Sequence, residues 1–298
     1  MALGGDIMTN LLVLGMGYAA AAAGQMLLRR GWEISGTARS QARLNELAVE
    51  GFYPIQFDEA GEIQSALRKV THLLISTPPG AQGDPALKKY GNDIRKAPAL
   101  RWAGYLSTIG VYGDRNGCWV DEKTPAAPSP GRGEARADAE RGWTELCNKR
   151  GLPLDIFRLA GIYGPGRSPL ERIAENRSQR VIKPGQVFNR IHVDDIAQTI
   201  VAAISKPPSV AGSRIFNVSD DEPAPPQDVI LYASTLIGAQ PPEEVSFEDA
   251  ALSPMARSFY EDNKRVRNDR IKRELGVVLK YPTYREGLAA LAEEFKRT

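Results

Sequence analysis

The chain has 298 residues, of which 42% are hydrophobic, so it can bury the core of one large domain or of two closely joined ones. Its 38 basic and 36 acidic residues give a net charge of +2, and nothing in this balance indicates a nucleic-acid partner. With two histidines, and two cysteines that lack metal-ligand spacing, we expect neither a metal site nor a conventional catalytic triad. Isolated thiols are typical of a reducing compartment, so a cytoplasmic protein is predicted.

An apolar run near the start, from Leu11 to Leu28, has the length of a secretory segment. It lacks a basic region before it, it contains a glycine-rich turn, and Arg29 and Arg30 follow it at once. We therefore interpret the run as the first strand–helix unit of the fold, and we expect neither a targeting segment nor a membrane partner.

The segment 10–40 consists of a predicted strand, a glycine-rich turn, a helix and a second strand, which is the dinucleotide-binding fingerprint in its structural context. Gly15 permits the tight turn, and Gly17 allows the backbone to approach a pyrophosphate. Ala20 is small enough for the helix to lie close to the strand, and the helix N-terminus attracts phosphate charge. The residues of this turn that we expect to bind a cofactor are Gly15, Met16, Gly17, Tyr18 and Ala20.

The end of the second predicted strand indicates which dinucleotide is bound. NAD-binding versions of the fingerprint carry Asp or Glu about 20 residues past the glycines, where the carboxylate grips the ribose 2′-hydroxyl. This chain has Arg39 and Ser40 there instead. Arg39 can pair with a 2′-phosphate and Ser40 can donate a hydrogen bond to it, but an exposed arginine that opens a helix can also be an ordinary solvated residue. The two residues favour NADP over NAD.

Strands and helices continue to alternate beyond the fingerprint. Helices are predicted at 40–51, 62–70, 85–96 and 132–150, and strands at 53–58, 72–77, 102–108 and 154–160. Repeated strand–helix units predict an α/β fold of the Rossmann type, a doubly wound parallel sheet with helices on both faces. Ligands of such sheets bind beyond the carboxyl ends of the strands. The residues that we expect at this edge are Asp58, Ser76, Thr77, Pro78, Thr108 and Gly161.

After Gly161 the alternation loosens, and the rest of the chain predicts a smaller C-terminal substrate lobe. A helix is expected to start near His192 and to end at Ser205, and a buried strand is expected from Arg214 to Val218. The basic run from Lys264 to Lys272 is interpreted as the solvated face of a helix.

The predicted domain boundaries follow from this change of pattern. Residues 9–167 together with 191–219 are assigned to an NAD(P)-binding Rossmann domain. Residues 168–190 together with 220–298 are assigned to the substrate-binding lobe.

Several segments together resemble the extended short-chain dehydrogenase/reductase family, which includes nucleotide-sugar epimerases and dehydratases. They occur in the family's order and extend over most of the chain, at 107–114, 157–165, 190–197, 216–220 and 281–288. The glycine turn has the pattern GxGxxA, where extended members usually have GxxGxxG, and this variant is familiar in atypical members. The resemblance implies a nicotinamide cofactor, a small-molecule substrate and a homodimer formed through two Rossmann helices, here 85–96 and 132–150.

The catalytic residues of the family are a Thr or Ser at the end of the fifth strand and a Tyr-x-x-x-Lys pair on the next helix. The tyrosine, whose pKa is lowered by the lysine and the cofactor, exchanges a proton with the substrate oxygen. Thr108 matches the threonine. After the Pro-Ser-Pro segment 128–130, the best alignment puts Arg132 at the tyrosine and Arg136 at the lysine. Neither guanidinium can serve as the acid at neutral pH, because both stay protonated.

Two further residues near the predicted cleft each have two interpretations. Tyr112 is catalytic in place of the missing tyrosine, or it is packed at the cleft mouth with its hydroxyl hydrogen-bonded. Arg136 holds the nicotinamide ribose in place of the lysine, or it is a solvated helical arginine. The predicted catalytic residues are Thr108 and Tyr112, and Arg136 is predicted to bind the cofactor.

Four charged or titratable residues of the later segments each have a structural and a functional interpretation. Arg158 is expected to be tied to buried carboxylates, with a functional role as the alternative. His192 is expected to cap the helix that it precedes or to bond across the domain junction, with substrate contact as the alternative. Arg167 and Arg190 either hold a phosphate or carboxylate of a substrate or are surface charges on loops.

Two functions are compatible with the sequence. The first is an NADP-dependent oxidoreductase or epimerase/dehydratase-like enzyme that acts on a small carbonyl or hydroxyl compound, with a nucleotide sugar as one candidate substrate. The second is a non-catalytic NADP(H)-binding redox sensor or regulatory protein, which is favoured by the loss of both the Tyr and the Lys. The nearly complete family framework favours the enzyme.

Overall fold

The structure of the protein, a computed structural model, describes residues 9–208 and 211–297. Its strands, in chain order, are β1 (Asn10–Leu14), β2 (Glu33–Ala38), β3 (Tyr53–Gln56), β4 (His72–Ile75), β5 (Trp102–Thr108), β6 (Trp119–Val120), β7 (Leu154–Leu159), β8 (Gly161–Tyr163), β9 (Arg180–Ile182), β10 (Arg190–His192), β11 (Ser213–Val218), β12 (Glu244–Ser246) and β13 (Arg265–Val266). A seven-stranded parallel sheet has the order β11-β7-β5-β4-β1-β2-β3, in which β1 pairs with both β2 and β4. This order, with crossovers between β3 and β4, confirms the predicted doubly wound Rossmann-type sheet.

The helices are α1 (Tyr18–Leu28), α2 (Gln41–Val49), α3 (Ala60–Leu67), α4 (Pro85–Lys96), α5 (Arg132–Arg150), α6 (Leu170–Ala174), α7 (Val193–Ser205), α8 (Pro226–Leu236), α9 (Pro254–Ser258) and α10 (Tyr284–Phe295). The start of α4 shows why this local sequence folds as it does. Asp84 accepts hydrogen bonds from the N–H groups of Ala86 and Leu87, and Pro85 occupies the first helical position, where no N–H is needed.

The chain divides into two compact units. Unit 1 contains the described residues of Met1–Ser107, Ala135–Phe157 and Ala197–Ile215, and unit 2 contains those of Thr108–Glu134, Arg158–Ile196 and Phe216–Thr298. The predicted boundaries differ from this division, because they keep residues 108–134, 158–167, 191–196 and 216–219 with the Rossmann domain. The first two of these stretches begin at the ends of β5 and β7, where the sequence pattern gives no sign that a second unit begins.

Unit 1 holds the centre of the sheet and a large apolar core. The strands β1 and β4 are almost entirely buried, which explains their continuous apolar sequences. Asp155 on β7 is one of the buried polar groups of this unit. It is fully buried, and its carboxylate accepts from the indole Nε1 of Trp102 at 2.8 Å and from Nε and Nη2 of Arg214 at 2.7 and 2.8 Å.

Unit 2 contains three short parallel pairs, β10 with β8, β12 with β9 and β13 with β6. The strand β13 lies within the run from Lys264 to Lys272. The prediction that this run is the solvated face of a helix is therefore wrong. Lys264 is buried with its Nζ 3.2 Å from Asp262 Oδ2, and the N–H of Val266 donates to Asn189 Oδ1. The backbone is thus drawn into a strand, and a π-helical turn at Ile271–Leu275 follows it.

In the two described stretches of the chain, every helix is too short or too polar to cross a lipid bilayer.

Both histidines of the chain, His72 and His192, are buried, and burial lowers the pKa of each to about 4. In an unfolded chain histidine titrates near pH ~6.5, so the unfolded state takes up protons at a higher pH than the folded state does. The stabilisation from each neutral histidine is therefore complete above that pH and is lost as the pH falls toward 4. We expect the free energy of unfolding to decrease by about 2 kcal/mol per histidine between neutral pH and about pH 5, as measured by urea unfolding at a series of pH values.

The double variant His72→Gln/His192→Gln provides the control for this pH dependence. It is expected to be less stable than the wild type at neutral pH, because His72 packs against Trp32 and bonds to Thr71 Oγ1, but its stability should stay nearly constant over the same range. An equal acid loss in the double variant would show that other groups cause it.

Candidate cofactor and active site

The glycine turn of unit 1 joins β1 to α1 and contains Gly15 in a left-handed conformation with φ of +84°. Its N–H donates to Thr37 Oγ1 at 2.7 Å, and a Cβ at this position would lie 2.9 Å from Thr77 Cγ2. Only glycine satisfies both conditions without strain. The tight turn predicted at Gly15 is therefore present, and it is packed directly against the residues that follow β4.

Gly17 stands at the start of α1 with ordinary backbone angles, φ −92° and ψ −171°. A Cβ at Gly17 would meet no atom within 4 Å, so it would project into open space. No side chain caps this end of α1, and no acidic residue lies in its first turn. Open space beside an uncapped helix N-terminus suits a bound anion.

The other predicted residues of the turn have different surroundings. Ala20 in the first turn of α1 is fully buried, and Tyr18 is half-buried at the first helical position. The side chain of Met16 is buried, and its N–H donates to the carbonyl of Thr37 at 2.8 Å. Its sulfur fills the space where Gly36 lacks a Cβ, so the Met16 side chain serves the packing of the turn.

The segment after β4 lies beside the same turn. The N–H of Ser76 donates to the carbonyl of Leu14 at 2.8 Å, which continues the pairing of β4 with β1. Thr77 is buried against Gly15, and its Oγ1 has no hydrogen-bond partner among the residues described. Pro78 is exposed. The structure therefore brings Gly15 and Thr77 together as the sequence predicts.

The carboxyl ends of β2 and β3 place Arg39, Ser40 and Asp58 at one edge of unit 1. The strands are parallel with Ala38 opposite Gln56, so the residues that follow them are neighbours. Ser40 accepts from the N–H of Arg43 and caps α2. The Arg39 guanidinium lies 5.1 Å from the centre of the Phe57 ring.

The carboxylate of Asp58 is already engaged at this edge. Lys89 on α4 donates from Nζ to Asp58 Oδ1 at 2.8 Å and to its carbonyl at 3.0 Å. This hydrogen bond, together with the charge of Arg39, holds the pKa of Asp58 below its ordinary value. Lys89 was not predicted as a site residue, since it lies 31 positions from Asp58 and nothing in the pattern of α4 distinguishes it from its neighbours.

The end of β5 in unit 2 carries the predicted Thr108. This residue is half-buried, and its Oγ1 accepts from the N–H of Gly110 at 3.1 Å, which starts the 3₁₀ turn Ile109–Tyr112. Since the oxygen acts as the acceptor in this bond, the hydroxyl proton of Thr108 is not used in it.

The second predicted catalytic residue, Tyr112, is fully buried in unit 2. Its hydroxyl donates to Asn217 Oδ1 at 2.8 Å, and the Arg158 guanidinium lies 4.7 Å from its ring centre. Burial raises the pKa of Tyr112 above the ordinary value for a phenol. These contacts favour the structural interpretation of Tyr112, whose ring packs against the Arg158 guanidinium.

The two arginines at the Tyr and Lys positions are held by different contacts. In unit 1, Arg136 donates from Nη1 to the carbonyl of Leu106 at 2.7 Å and lies over the ring of Tyr105. In unit 2, the exposed Arg132 donates to Ser258 Oγ at 3.1 Å and lies over the ring of Phe259. The Arg136 side chain is therefore neither solvated nor placed as a proton donor.

The remaining candidates of unit 2 are mostly structural. The N–H of Gly161 donates to the carbonyl of Asn189 at 3.0 Å, and Gly161 itself is exposed. His192 accepts from the N–H of Asp194 at 3.1 Å and so caps α7, as expected. Arg190 donates to the carbonyls of Phe188 and Ala224, which excludes the interpretation of a surface charge on a loop.

Taken from unit 1 alone, the residues fit a dinucleotide. The glycine turn has Gly15 in a left-handed conformation and Gly17 beside open space at an uncapped helix end. Next to it are the buried Thr77 hydroxyl, which has no partner among the described residues, and Arg39, where NAD-binding turns carry a carboxylate. Such a site can hold a pyrophosphate by backbone N–H groups and a 2′-phosphate by Arg39. Within the described residues, no cluster of His, Cys, Asp and Glu could hold a metal ion.

Comparisons with known proteins agree with this geometry. No family model matches the chain. A functionally unknown conserved protein from Silicibacter pomeroyi DSS is 50% identical, with a TM-score of 0.89 over 97% of this chain and 99% of that one. Protein YeeZ of Escherichia coli (strain K12) is 26% identical over 289 residues, which cover 92% of this chain and 97% of YeeZ.

A more distant structure has the same fold. The UDP-glucuronic acid 4-epimerase from Bacillus cereus, in complex with NAD, is 17% identical with a TM-score of 0.75, over 97% of this chain and 99% of that one. The chain has the fold of this epimerase, and it belongs to the family of the Silicibacter pomeroyi protein.

Proposed function

We propose that the protein binds a nicotinamide dinucleotide, NADP in preference to NAD, and acts as an oxidoreductase or epimerase-like enzyme on a small carbonyl or hydroxyl compound. The main support for the proposal is Gly17. It leaves room for a pyrophosphate at the N-terminus of α1, which has no side-chain cap and no acidic residue in its first turn. The bound dinucleotide of the Bacillus cereus epimerase supports the same cofactor class. That enzyme also makes a nucleotide sugar a reasonable substrate class to test first.

The preference for NADP rests on Arg39 at the end of β2. A 2′-phosphate there would receive a charge-assisted hydrogen bond, whereas the free 2′-hydroxyl of NAD would lack the carboxylate that usually grips it. We expect Arg39→Asp to weaken NADP⁺ binding about a hundredfold and to change NAD⁺ binding much less, with the fold retained because Arg39 is exposed. Isothermal titration with both cofactors measures this, and an unchanged NADP⁺ affinity would refute the role of Arg39.

The protein's own residues limit the chemistry. A bound nicotinamide supplies the site that accepts or donates a hydride. The Thr108 hydroxyl can donate to a substrate oxygen and orient it, since its oxygen is the acceptor in the bond from Gly110. Neither Arg132 nor Arg136 can exchange a proton with that oxygen, so the proton is expected to come from the substrate itself or from water.

A second candidate is a non-catalytic NADP(H) sensor, and one observation favours it. Arg136 occupies the lysine position but is bonded to the carbonyl of Leu106, so no group at that position tunes the pKa of a proton donor. A sensor would bind the oxidised and reduced cofactors with different affinities and would show no turnover with any carbonyl compound.

The first experiment is a thermal-shift titration with NADP⁺, NADPH, NAD⁺ and NADH, followed by a panel of carbonyl substrates. A ligand that binds only the folded state stabilises it by about 2.7 kcal/mol at a hundredfold excess over its Kd. Shifts with the phosphorylated pair, and turnover that is lost in Thr108→Val, would support the enzyme. Absence of any shift with all four dinucleotides would contradict the proposal.

We also propose a reducing, cytoplasmic location and a homodimer formed through α4 and α5. Both cysteines are free thiols, and Cys147 is buried, which suits a reducing compartment. Sedimentation analysis tests the dimer, and the family resemblance supports it.

A further inference from the structure

The ends of β2 and β3 collect two cations and one carboxylate around a single aromatic ring. The Arg39 guanidinium lies 5.1 Å from the centre of the Phe57 ring, and Lys89 Nζ lies 5.9 Å from it. Asp58 follows Phe57 directly, and Lys89 reaches it from α4. All four residues belong to unit 1 and lie where the strand register brings the ends of β2 and β3 together.

The carboxylate of Asp58 is ionised and largely open to solvent. Its side chain is 61% exposed, whereas that of Lys89 is 35% exposed. An unpaired carboxylate at this edge would repel a phosphate and would compete with it for Arg39. The ion pair with Lys89 cancels most of that charge, because Nζ lies 2.8 Å from Oδ1.

We propose that Lys89 is a positioning residue that gives this edge its selectivity for the phosphorylated dinucleotide, by neutralising Asp58 and leaving Arg39 to bind the 2′-phosphate. This inference rests on the proposed function. It assigns a role to Lys89, which lies outside the fingerprint, and the role is to compensate the negative charge of Asp58. Lys89 offsets the negative charge of Asp58, so the effects of the two residues on NADP⁺ binding should not be additive. Removing Asp58 should reduce the loss that is caused by removing Lys89.

The test is a set of four variants titrated with NADP⁺ and with NAD⁺: Lys89→Gln, Asp58→Asn, the double variant Lys89→Gln/Asp58→Asn, and Lys88→Gln. Lys88 is the exposed lysine that precedes Lys89 on α4, and within the described residues it forms no ion pair. Lys89→Gln should weaken NADP⁺ binding about tenfold, which is the size of one screened charge contact near a protein surface, and should leave NAD⁺ binding within about twofold.

The other variants determine whether charge compensation is the cause. Asp58→Asn should keep the ratio of NADP⁺ to NAD⁺ affinity at least as high as in the wild type, and the double variant should recover the ratio that is lost in Lys89→Gln. Lys88→Gln should bind like the wild type. High salt should shrink the difference between Lys89→Gln and the wild type, since exposed charges are screened.

Three results would overturn the inference. The first is an unchanged ratio of NADP⁺ to NAD⁺ affinity in Lys89→Gln. The second is a double variant that stays as weak as Lys89→Gln, because Lys89 would then contact the phosphate itself. The third is a wild type that binds none of the four dinucleotides, which would overturn the proposed function together with this inference. The first two leave the proposed function intact.

Discussion

Gly17→Val is expected to weaken dinucleotide binding at least about a hundredfold while the protein keeps its fold, because a side chain at this turn position occupies the space of the pyrophosphate. The backbone of Gly17 has φ −92°, which valine adopts freely, and a Cβ would meet no protein atom within 4 Å. The substitution therefore removes room for a ligand without creating a clash within the chain. Titration calorimetry with NADP⁺ and a thermal melt of the free protein measure the two effects separately.

Two other glycines give this experiment its controls. Gly61 in the first turn of α3 has equally open surroundings, so Gly61→Val should bind the cofactor like the wild type. Gly15→Ala should lower stability, because φ is +84° and the new Cβ would lie 2.9 Å from Thr77 Cγ2. Normal cofactor affinity in Gly17→Val would remove the main support for a pyrophosphate site at α1.

Asp155→Ala is expected to reduce the free energy of unfolding by about 3–5 kcal/mol, the range found when one partner of a buried charge pair is deleted. Asp155 is fully buried and accepts from Trp102 and, through two nitrogens, from Arg214. Alanine would remove the acceptor of the indole N–H inside the sheet and the carboxylate that two nitrogens of Arg214 bind, and it would open a small cavity. Urea unfolding at neutral pH gives the value.

The exposed Asp138 on α5 is the matched control for this loss. It is paired with Arg141 one turn away, and both side chains are mostly exposed, so Asp138→Ala should cost about 0.5 kcal/mol or less. Asp155→Asn should lie between the two, since the amide still offers one acceptor to Trp102. A loss below about 1 kcal/mol in Asp155→Ala would mean that Arg214 finds water or another acceptor.

The order of the elements could be predicted from the sequence because apolar runs, capping residues, glycines and prolines mark the strands and helices of the sheet. The apolar strand before Gly15, and the Asp84 cap with Pro85, determine where β1 ends and where α4 begins. The predicted bounds of β5, α4 and α5 agree with the structure residue by residue. For α4 the reason is local, because the Asp84 cap and Pro85 define its start and its apolar residues lie on one face. For β5 the reason is its buried apolar run.

The basic run of unit 2 was predicted wrongly because its conformation depends on distant residues. Lys264 is buried next to Asp262, and β13 forms only because β6 and Asn189 offer it backbone and side-chain partners. Charge alone favours a solvated helix, and the competing partners lie more than 70 positions away along the chain. Tertiary context overrides local composition here.

The candidate site divides in the same way. The glycine turn and Arg39 were predictable because a motif of fixed spacing carries them, and Thr77 was predictable because it follows a predicted strand. The partners that decide their chemistry were not: Asn217 lies 105 positions from Tyr112, and Leu106 lies 30 positions from Arg136. A sequence pattern identifies which residues reach an edge of the sheet, but hydrogen bonds between distant segments determine what those residues can do there.

The packing of Met16 also constrains how this turn can change during evolution. A Cβ at Gly36 would lie 2.1 Å from the Met16 sulfur, and one at Gly24 would lie 2.8 Å from the Met16 terminal methyl. The three positions share one volume, so they must vary together. A homologue with alanine at position 36 is expected to carry a shorter residue at position 16, and a glycine at both 24 and 36 should accompany a long side chain there. Covariation of these three positions would thus trace the shape of the nucleotide turn across the family.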